Sequence, residues 1–362
     1  MTGNSISKRQ AYLCRMKFRI TTLLMLGFAL AAQAQKFPKP VARIAFWNVE
    51  NFYDTINDPA VDDSEFLPNG KMKWTSERYN TKLEHLSKEI LALGIDGKGP
   101  DILGMAEVEN QGVLVDLTTK TPLAKQKYGI VHYDSHDKRG IDVALLYKKA
   151  KFKVLESKIV PVQFPQDSLA KGDTLFTRDI LVVKGILAKD TIYVIVNHWP
   201  SRRGGQAESD ARRMLAANTL KRIDDSLQTI SPWRKIIAIG DFNDEPDSKS
   251  IQSVKCGPPC FACKQPVPCF FDLMDSLKAA GDGSYHYKKE VNMLDNILIN
   301  PNFKKGKGLR IVDAHIFKTD WNTGENYKSD PPGPLHTYAG SRYIGGYSDH
   351  YPVYADVYLV KK

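Results

Sequence analysis

Residues 180–198 read "ILVVKGILAKDTIYVIVNH". Two runs in this stretch, ILVVKGIL and TIYVIV, are dense in β-branched residues, too short for helices and bounded by polar positions. Both read as buried strands. The second ends in Asn197 and His198, so the chain places an imidazole at the mouth of a strand.

Strands of the same kind recur: RIAFW (43–47), DILGMA (101–106), DVALLY (142–147), KIIAIG (235–240), DNILI (295–299) and PVYADVYL (352–359). Helical spacing alternates with them. In 76–93, Leu83, Leu86, Ile90 and Leu93 mark one face, with Thr75 or Ser76 as cap and Gly94 as stop. In 207–227, Ala216, Leu220, Ile223 and Leu227 do the same, and Ser209 offers a cap. Strands and helices mixed over some 320 residues without a linker argue for one α/β domain, 41–360. The irregular part is 244–291, rich in Pro, Gly and Cys. No internal repeat is visible.

Several strands share one feature at their ends. IAFW runs into Asn48, ILGMA into Glu107, TIYVIVN into His198, and IIAIG into Asp241 with Asn243 just after. DNILI begins with Asp295, and Asp349 and His350 precede PVYADVYL. One polar residue at a strand end is ordinarily a turn or a cap. Six cases drawn only from Asn, Asp, Glu and His predict a single rim lined with oxygen ligands and imidazoles. Ionisable groups at such depth need partners, and these residues can partner one another. Carboxylates and amide oxygens without clustered thiolates suit a hard cation, Mg²⁺ or Mn²⁺. Beside His198 stands "HWPSRRGG", whose Arg202 and Arg203 carry forks that match phosphate oxygens. Hard cation, histidines and arginines together describe phosphoester hydrolysis.

"AFWNVEN", "GMAEVEN", "RGIDVALLY", "VNHWPSRRGG", "IGDFND", "MLDNILI" and "YSDHYPVY" follow one another in order along the chain. In this the sequence resembles the endonuclease/exonuclease/phosphatase superfamily over 41–360, and most of all its secreted bacterial nucleases. The resemblance implies two packed mixed β-sheets flanked by helices, a four-layer α/β/β/α sandwich. It implies a metal site of Asn48, Glu107 and Asp349, with Glu107 the principal carboxylate. It gives His198 to the scissile phosphate, Asp241 to the attacking water and Asn243 to the phosphate. It gives His350, oriented by Asp295, to the pentacovalent phosphate and to proton transfer. Glu50 stands where several family members carry Asp, and its metal role is open. Asp142 either orients His198 or is a solvated strand start, and Arg139 is either a phosphate contact or a surface charge.

The N-terminus carries a different signal. "MKFRITTLLMLGFALAAQAQKF", from Met16, has a basic start, an apolar stretch from Ile20 to Ala32 and an Ala32-Gln33-Ala34 cleavage site. Residues 1–34 therefore read as an N-terminal extension and signal peptide. The protein is expected to be secreted or periplasmic, with no stable membrane insertion. Loss of Lys8, Arg9, Arg15, Lys17 and Arg19 takes the formal charge from +10 to +5, which suits an anionic substrate. The Cys-rich insert "CGPPCFACKQPVPC" (256–269) holds Cys256, Cys260, Cys263 and Cys269. In an exported protein these read as two disulfides, or else as a zinc or iron–sulfur site. The Gly-, Pro- and Tyr-rich 329–347 is either a loop with stacking tyrosines for substrate or an ordered connection. The expectation is a monomeric, Mg²⁺- or Mn²⁺-dependent phosphodiesterase acting on DNA. The alternatives are an inositol-phosphate phosphatase or sphingomyelinase-type enzyme and, from another class, a catalytically inactive binding protein.

Overall fold

The computed structural model describes residues 39–164, 177–257, 268–304, 308–327 and 330–360. The signal-peptide reading of 1–34, and Cys260 and Cys263, lie outside the described residues. Residues from Pro40 onward form one compact unit.

Two six-strand paths make the body. The first sheet holds β1 (Ala42–Phe52), β2 (Ile102–Val108), β3 (Tyr128–His132), β4 (Asp142–Lys148), β13 (Gly308–Ile311) and β19 (Val353–Val360), in the order β13-β19-β1-β2-β4-β3. A short β14 (His315–Ile316) also pairs with β19. The second holds β5 (Phe152–Val160), β6 (Ile180–Leu187), β7 (Asp190–His198), β8 (Lys235–Asp241), β9 (Phe271–Asp272) and β12 (Asp295–Ile299), in the order β5-β6-β7-β8-β12-β9. Each sheet has one parallel pair, β1 with β2 and β7 with β8, among antiparallel neighbours. Both sheets are therefore mixed.

Alternation along the strands sets the layers. Ile44, Phe46, Leu145 and Val353 of the first sheet meet Leu181, Val183, Val194, Ile237 and Ile297 of the second in one buried cluster. At Gly104 the sheets pack tightly, for a Cβ there would stand 2.8 Å from Ile239 Cδ1 and 3.2 Å from Val196 Cγ1. The opposite face of the first sheet, with Ala45, Trp47, Leu103 and Leu146, is covered by α1 (Ser76–Leu93) and α2 (Gln111–Thr119). That of the second, with Val182, Ile195 and Ala238, is covered by α3 (Gln206–Ile230) and α4 (Lys249–Val254). The result is the four-layer sandwich. Each buried Leu, Ile, Val or Phe contributes about 1.5–3 kcal/mol, so all three buried layers hold the fold.

Helix ends follow local chemistry. The Thr75 side chain caps α1 by accepting from Arg78 N–H. Ser209 does not cap α3: the helix begins earlier, after Gly205 at φ +118°, and Ser209 Oγ donates back to Gly205 O. Within the Cys-rich insert, Cys256 is bonded to Cys269. That bond takes two of the four thiolates, so the four-cysteine metal reading does not hold.

The smaller elements lie around the body: α5 (Asp275–Ala279), a hairpin of β10 (Tyr285–Tyr287) and β11 (Glu290–Asn292), and two-residue strands β15 (Thr323–Gly324), β16 (Gly333–Pro334), β17 (Tyr338–Ala339) and β18 (Arg342–Tyr343). The last four belong to a long connection that α1 pins down. Lys82, 1% exposed, donates to Thr337 Oγ1 at 2.7 Å and to Tyr347 O at 2.8 Å. Glu89 accepts from Trp321 Nε1 at 2.8 Å and from Asn322 Nδ2. Tyr347 stacks on His85, and Arg78 lies over Tyr343. These tyrosines therefore face α1, and the connection is an ordered one rather than a stacking platform for substrate.

Candidate active site

Pairing brings the polar strand ends together. β1 and β2 are parallel, so Asn48 and Glu107 emerge on one rim. β7 and β8 are parallel with His198 opposite Asp241, and antiparallel β12 sets Asp295 opposite Asp241 as well. β19 is antiparallel to β1, so Asp349 and His350 enter at the same rim. Trp47 Nε1 fixes that entry by donating to His350 O at 2.9 Å. Glu107, His198, Asp241, Asn243, Asp349 and His350 all line one cleft of about 1000 Å³.

Behind the cleft His350 Nδ1 meets Asp295 Oδ2 at 2.7 Å, with both side chains buried. Ser284 Oγ donates to the same carboxylate oxygen. Burial opposes the imidazolium, but Asp295, Asp349 and Asp241 outweigh it and hold the His350 pKa well above its ordinary value. His350 Nε2 stands 3.8 Å from Asp241 Oδ2. Burial pushes the Asp241 carboxyl up to about 7, with the Asp295 charge adding and His350 opposing. Its Oδ1 accepts from Asn243 N–H at 2.8 Å, and Asn243 Nδ2 donates to Trp199 O. Asn243 sits at φ +50°, in the left-handed region that Asn tolerates.

Across the cleft Glu107, also left-handed at φ +62°, accepts the Asn51 amide on Oε2 at 2.8 Å. Burial alone would raise its pKa, but Arg139, the Asn51 N–H and Arg178 overcome this and hold it below the ordinary value. Arg139 thus faces Glu107 electrostatically and lines the cleft, not merely the surface. Asp349 Oδ1 is buried and has no hydrogen-bond partner. Desolvation lifts this carboxyl to about 6. Asn48 turns its nitrogen to the carboxylates: Nδ2 donates to Asp241 Oδ2 at 3.0 Å, while Oδ1 accepts from Glu50 N–H.

His198 lies 3.6 Å from Asp241 Oδ2 and 3.9 Å from Glu107 Oε1 by its Nε2. Burial, then the charges of Arg178 and Arg139, lower its pKa well below the usual value, so it is a neutral imidazole. Its partner is Arg178, with Nη2 at 2.8 Å from Nε2 and Nε at 3.3 Å from Nδ1. Arg178 also pairs with Asp137 at 3.2 Å. Sequence reasoning missed Arg178. The signal was present: it stands two residues before the strand ILVVKGIL, the same strand-mouth placement as Asp349 and His350.

Three expected residues do something else. Asp142 does not reach His198 and is not solvated. It is 2% exposed, with Oδ1 on the Ser135 N–H and Oδ2 3.3 Å from His132 Nε2. Glu50 turns away from the cleft, accepting the backbone N–H groups of Thr337 (2.6 Å) and Tyr338 (3.3 Å). Its extra methylene over Asp gives it that reach. Arg202 is spent as a brace: Nε donates to Asn243 O at 2.8 Å, Nη1 to Asn292 Oδ1 at 3.2 Å, and Nη2 stands 3.5 Å from Asp244. Arg213, fully buried on α3, holds the other side of Asp244 at 2.7 Å. Arg203 stays exposed at the cleft rim. The tyrosines of the cleft are Tyr285, 4.8 Å from the His350 ring, and Tyr287.

Known proteins bear on this geometry. The model of the Endonuclease/Exonuclease/phosphatase family matches residues 43–361. Among solved structures, D. rerio TDP2 humanised by 14 mutations is similar at a TM-score of 0.51 and 16% identity, over 87% of this chain and 98% of that one. The human Nocturnin catalytic domain with bound sulfate gives 0.51 and 18%, over 88% and 94%. A mannosyl-6-phosphatase from Bacteroides thetaiotaomicron gives 0.53 and 15%, over 88% and 100%. Identities this low speak for the fold alone. No curated protein matches the chain.

Proposed function

This chain belongs to the endonuclease/exonuclease/phosphatase family, and from that premise we propose that it is an exported, divalent-metal-dependent phosphodiesterase that hydrolyses DNA. The observation that carries the reading is the buried Asp295–His350 pair beside Asp241 at a cleft that also holds Glu107, His198 and Arg178.

The donor set fits a hard cation. Glu107 and the orphaned Asp349 Oδ1 supply carboxylate oxygens without thiolates. Asn48 would join them only with its amide rotated, since its nitrogen now faces the carboxylates. When bound, Mg²⁺ or Mn²⁺ supplies Lewis-acid charge for the phosphate oxygens.

The chain's own residues do the rest. His350, kept protonated by Asp295, Asp349 and Asp241, places an N–H where charge develops on the phosphate. Asp241, beside it and raised toward neutrality, takes the proton of the attacking water. Asn243 holds a phosphate oxygen from its left-handed position just after β8. Neutral His198 holds the Arg178 guanidinium in place at the cleft, and Arg178 and Arg139 offer the phosphate positive charge.

DNA is favoured by the basic wall of Arg139, Arg178 and Arg203 and by a similar structure, D. rerio TDP2, which is complexed with single strand DNA product. A phosphomonoesterase is the second reading, supported by the mannosyl-6-phosphatase of similar fold. Initial rates with Mg²⁺ on plasmid, linear DNA, bis-p-nitrophenyl phosphate and mannose 6-phosphate separate the two. Cleavage of DNA and the diester, with mannose 6-phosphate untouched, is expected. Rapid release of phosphate from the monoester alone would overturn the nuclease reading.

A further inference from the structure

The loop of residues 133–141 joins β3 to β4, and its two ends carry chemistry that the cleft does not use. His132 closes β3 with a side chain only 2% exposed, and Asp142 opens β4 at 2% exposure. Asp134 follows on the loop, 89% exposed, with Oδ1 3.9 Å from His132 Nδ1, the ring nitrogen that does not face Asp142. One ligand atom from each of the three lies within 4.8 Å of the other two.

His132 Nε2 and Asp142 Oδ2 are 3.3 Å apart, yet the buried nitrogen makes no hydrogen bond. A nitrogen and an oxygen that close, without hydrogen-bond alignment, have the separation of two ligands on a shared ion. At metal distances of about 2.0–2.1 Å, the edge of a tetrahedron is about 3.3–3.4 Å. A buried ring nitrogen left without a hydrogen bond is costly. The surroundings are also rich in negative charge. Asp179, 1% exposed, has one carboxylate oxygen without a hydrogen-bond partner, and it feels the charge of Asp142.

We propose that His132, Asp134 and Asp142 form a divalent-cation site of the zinc type, separate from the catalytic cleft. The imidazole selects against Ca²⁺ and Mg²⁺, and the two carboxylates keep the site in the borderline class that Zn²⁺ occupies. Asp134, exposed and now beside Nδ1, would complete the site by turning its carboxylate to the Nε2 side, where the two buried ligands hold the ion. Such an ion would tie β3 to β4 at the root of the loop whose Asp137 pairs with Arg178 and whose Lys138 and Arg139 line the cleft. The site would thereby stiffen the basic wall without touching substrate.

Zn²⁺ titration of the full chain by calorimetry tests this, on a Glu107→Gln background to weaken binding in the cleft and with free thiols alkylated to exclude cysteine. One equivalent is expected to bind, as a site of three protein ligands with an open fourth position allows. His132→Gln should weaken it by about 100-fold and Asp134→Asn by about tenfold, while Ca²⁺ gives no heat at the site. Asp134 is exposed, so its variant folds and decides the matter if His132→Gln does not. Zn²⁺ uptake equal in Asp134→Asn and the parent, or no uptake at 100 µM Zn²⁺, would show that His132 and Asp142 are simply an ion pair.

Discussion

Replacing Asp295 by Asn probes the cleft at its best-defined contact. The carboxylate is 0% exposed, 2.7 Å from His350 Nδ1, and also bonded by Ser284 Oγ. An amide keeps the shape and removes the charge. If its nitrogen faces the ring, a donor meets the Nδ1–H, and the ring must take the other tautomer or turn. If its oxygen faces the ring, the hydrogen bond survives without the charge that leads in raising the His350 pKa. Positioned acid–base groups contribute about 10²–10⁴-fold, which is about 2.7–5.4 kcal/mol at 1.36 kcal/mol per decade. Turnover on bis-p-nitrophenyl phosphate should fall within that range. The working form of His350 is the protonated one, so its loss gives the alkaline limb of the rate profile. Asp295→Asn lowers the His350 pKa and moves that limb to lower pH. His350→Ala should cost about as much, and the double variant no more, because both disable one unit. Circular dichroism checks the fold. Near-wild-type turnover, an unmoved alkaline limb or multiplicative losses in the double variant would refute the reasoning.

Arg202 and Arg203 are adjacent but should fail differently. Arg202→Ala frees the Asn243 loop, so kcat on the small diester falls about tenfold, and Lys does not rescue it because one ammonium cannot replace a fork reaching three acceptors. Arg203→Ala leaves that kcat alone, weakens DNA binding and reduces the salt slope by about one, as binding isotherms at several salt concentrations will show. Reduction of the Cys256–Cys269 bond, which closes a loop of 13 residues, should lower unfolding free energy by about 3 kcal/mol with little change in kcat, measured by urea titration with and without reductant.

Much of this was legible because it is local. All eight strand runs read from the sequence are strands here, since apolar density over five to eight residues marks a buried strand wherever it pairs. The strand-end residues could be gathered on one rim because parallel pairing puts like ends together. β3 and β5 escaped notice for opposite reasons. β3, YGIVH, has its apolar run broken by Gly129, and β5, FKVLESKIV, is an edge strand with charged residues on its open face. What a side chain bonds to was less legible. Arg202 looked like a phosphate fork because nothing nearby in sequence could occupy it; its partners come from 41 and 90 residues away. Glu50 was captured in the same manner by the backbone of Thr337 and Tyr338, and Asp142 stands beside His132 rather than His198. The role of Arg178 was illegible for the same reason as that of Arg202: the groups it meets, His198 and Asp137, lie 20 and 41 residues away.

The central claim is that a hard cation held by Glu107 and Asp349 is needed for phosphodiester cleavage at this cleft. Its most direct test is the rate of plasmid hydrolysis by purified protein stripped with EDTA, then supplied with Mg²⁺ or Mn²⁺, for wild type and Glu107→Gln side by side. No cleavage in EDTA, recovery with either ion in the wild type and a loss of about 10³-fold or more in Glu107→Gln, in keeping with the several kcal/mol a Lewis acid supplies, is the predicted result. Full hydrolysis in the chelator, or wild-type rates from Glu107→Gln, would contradict it.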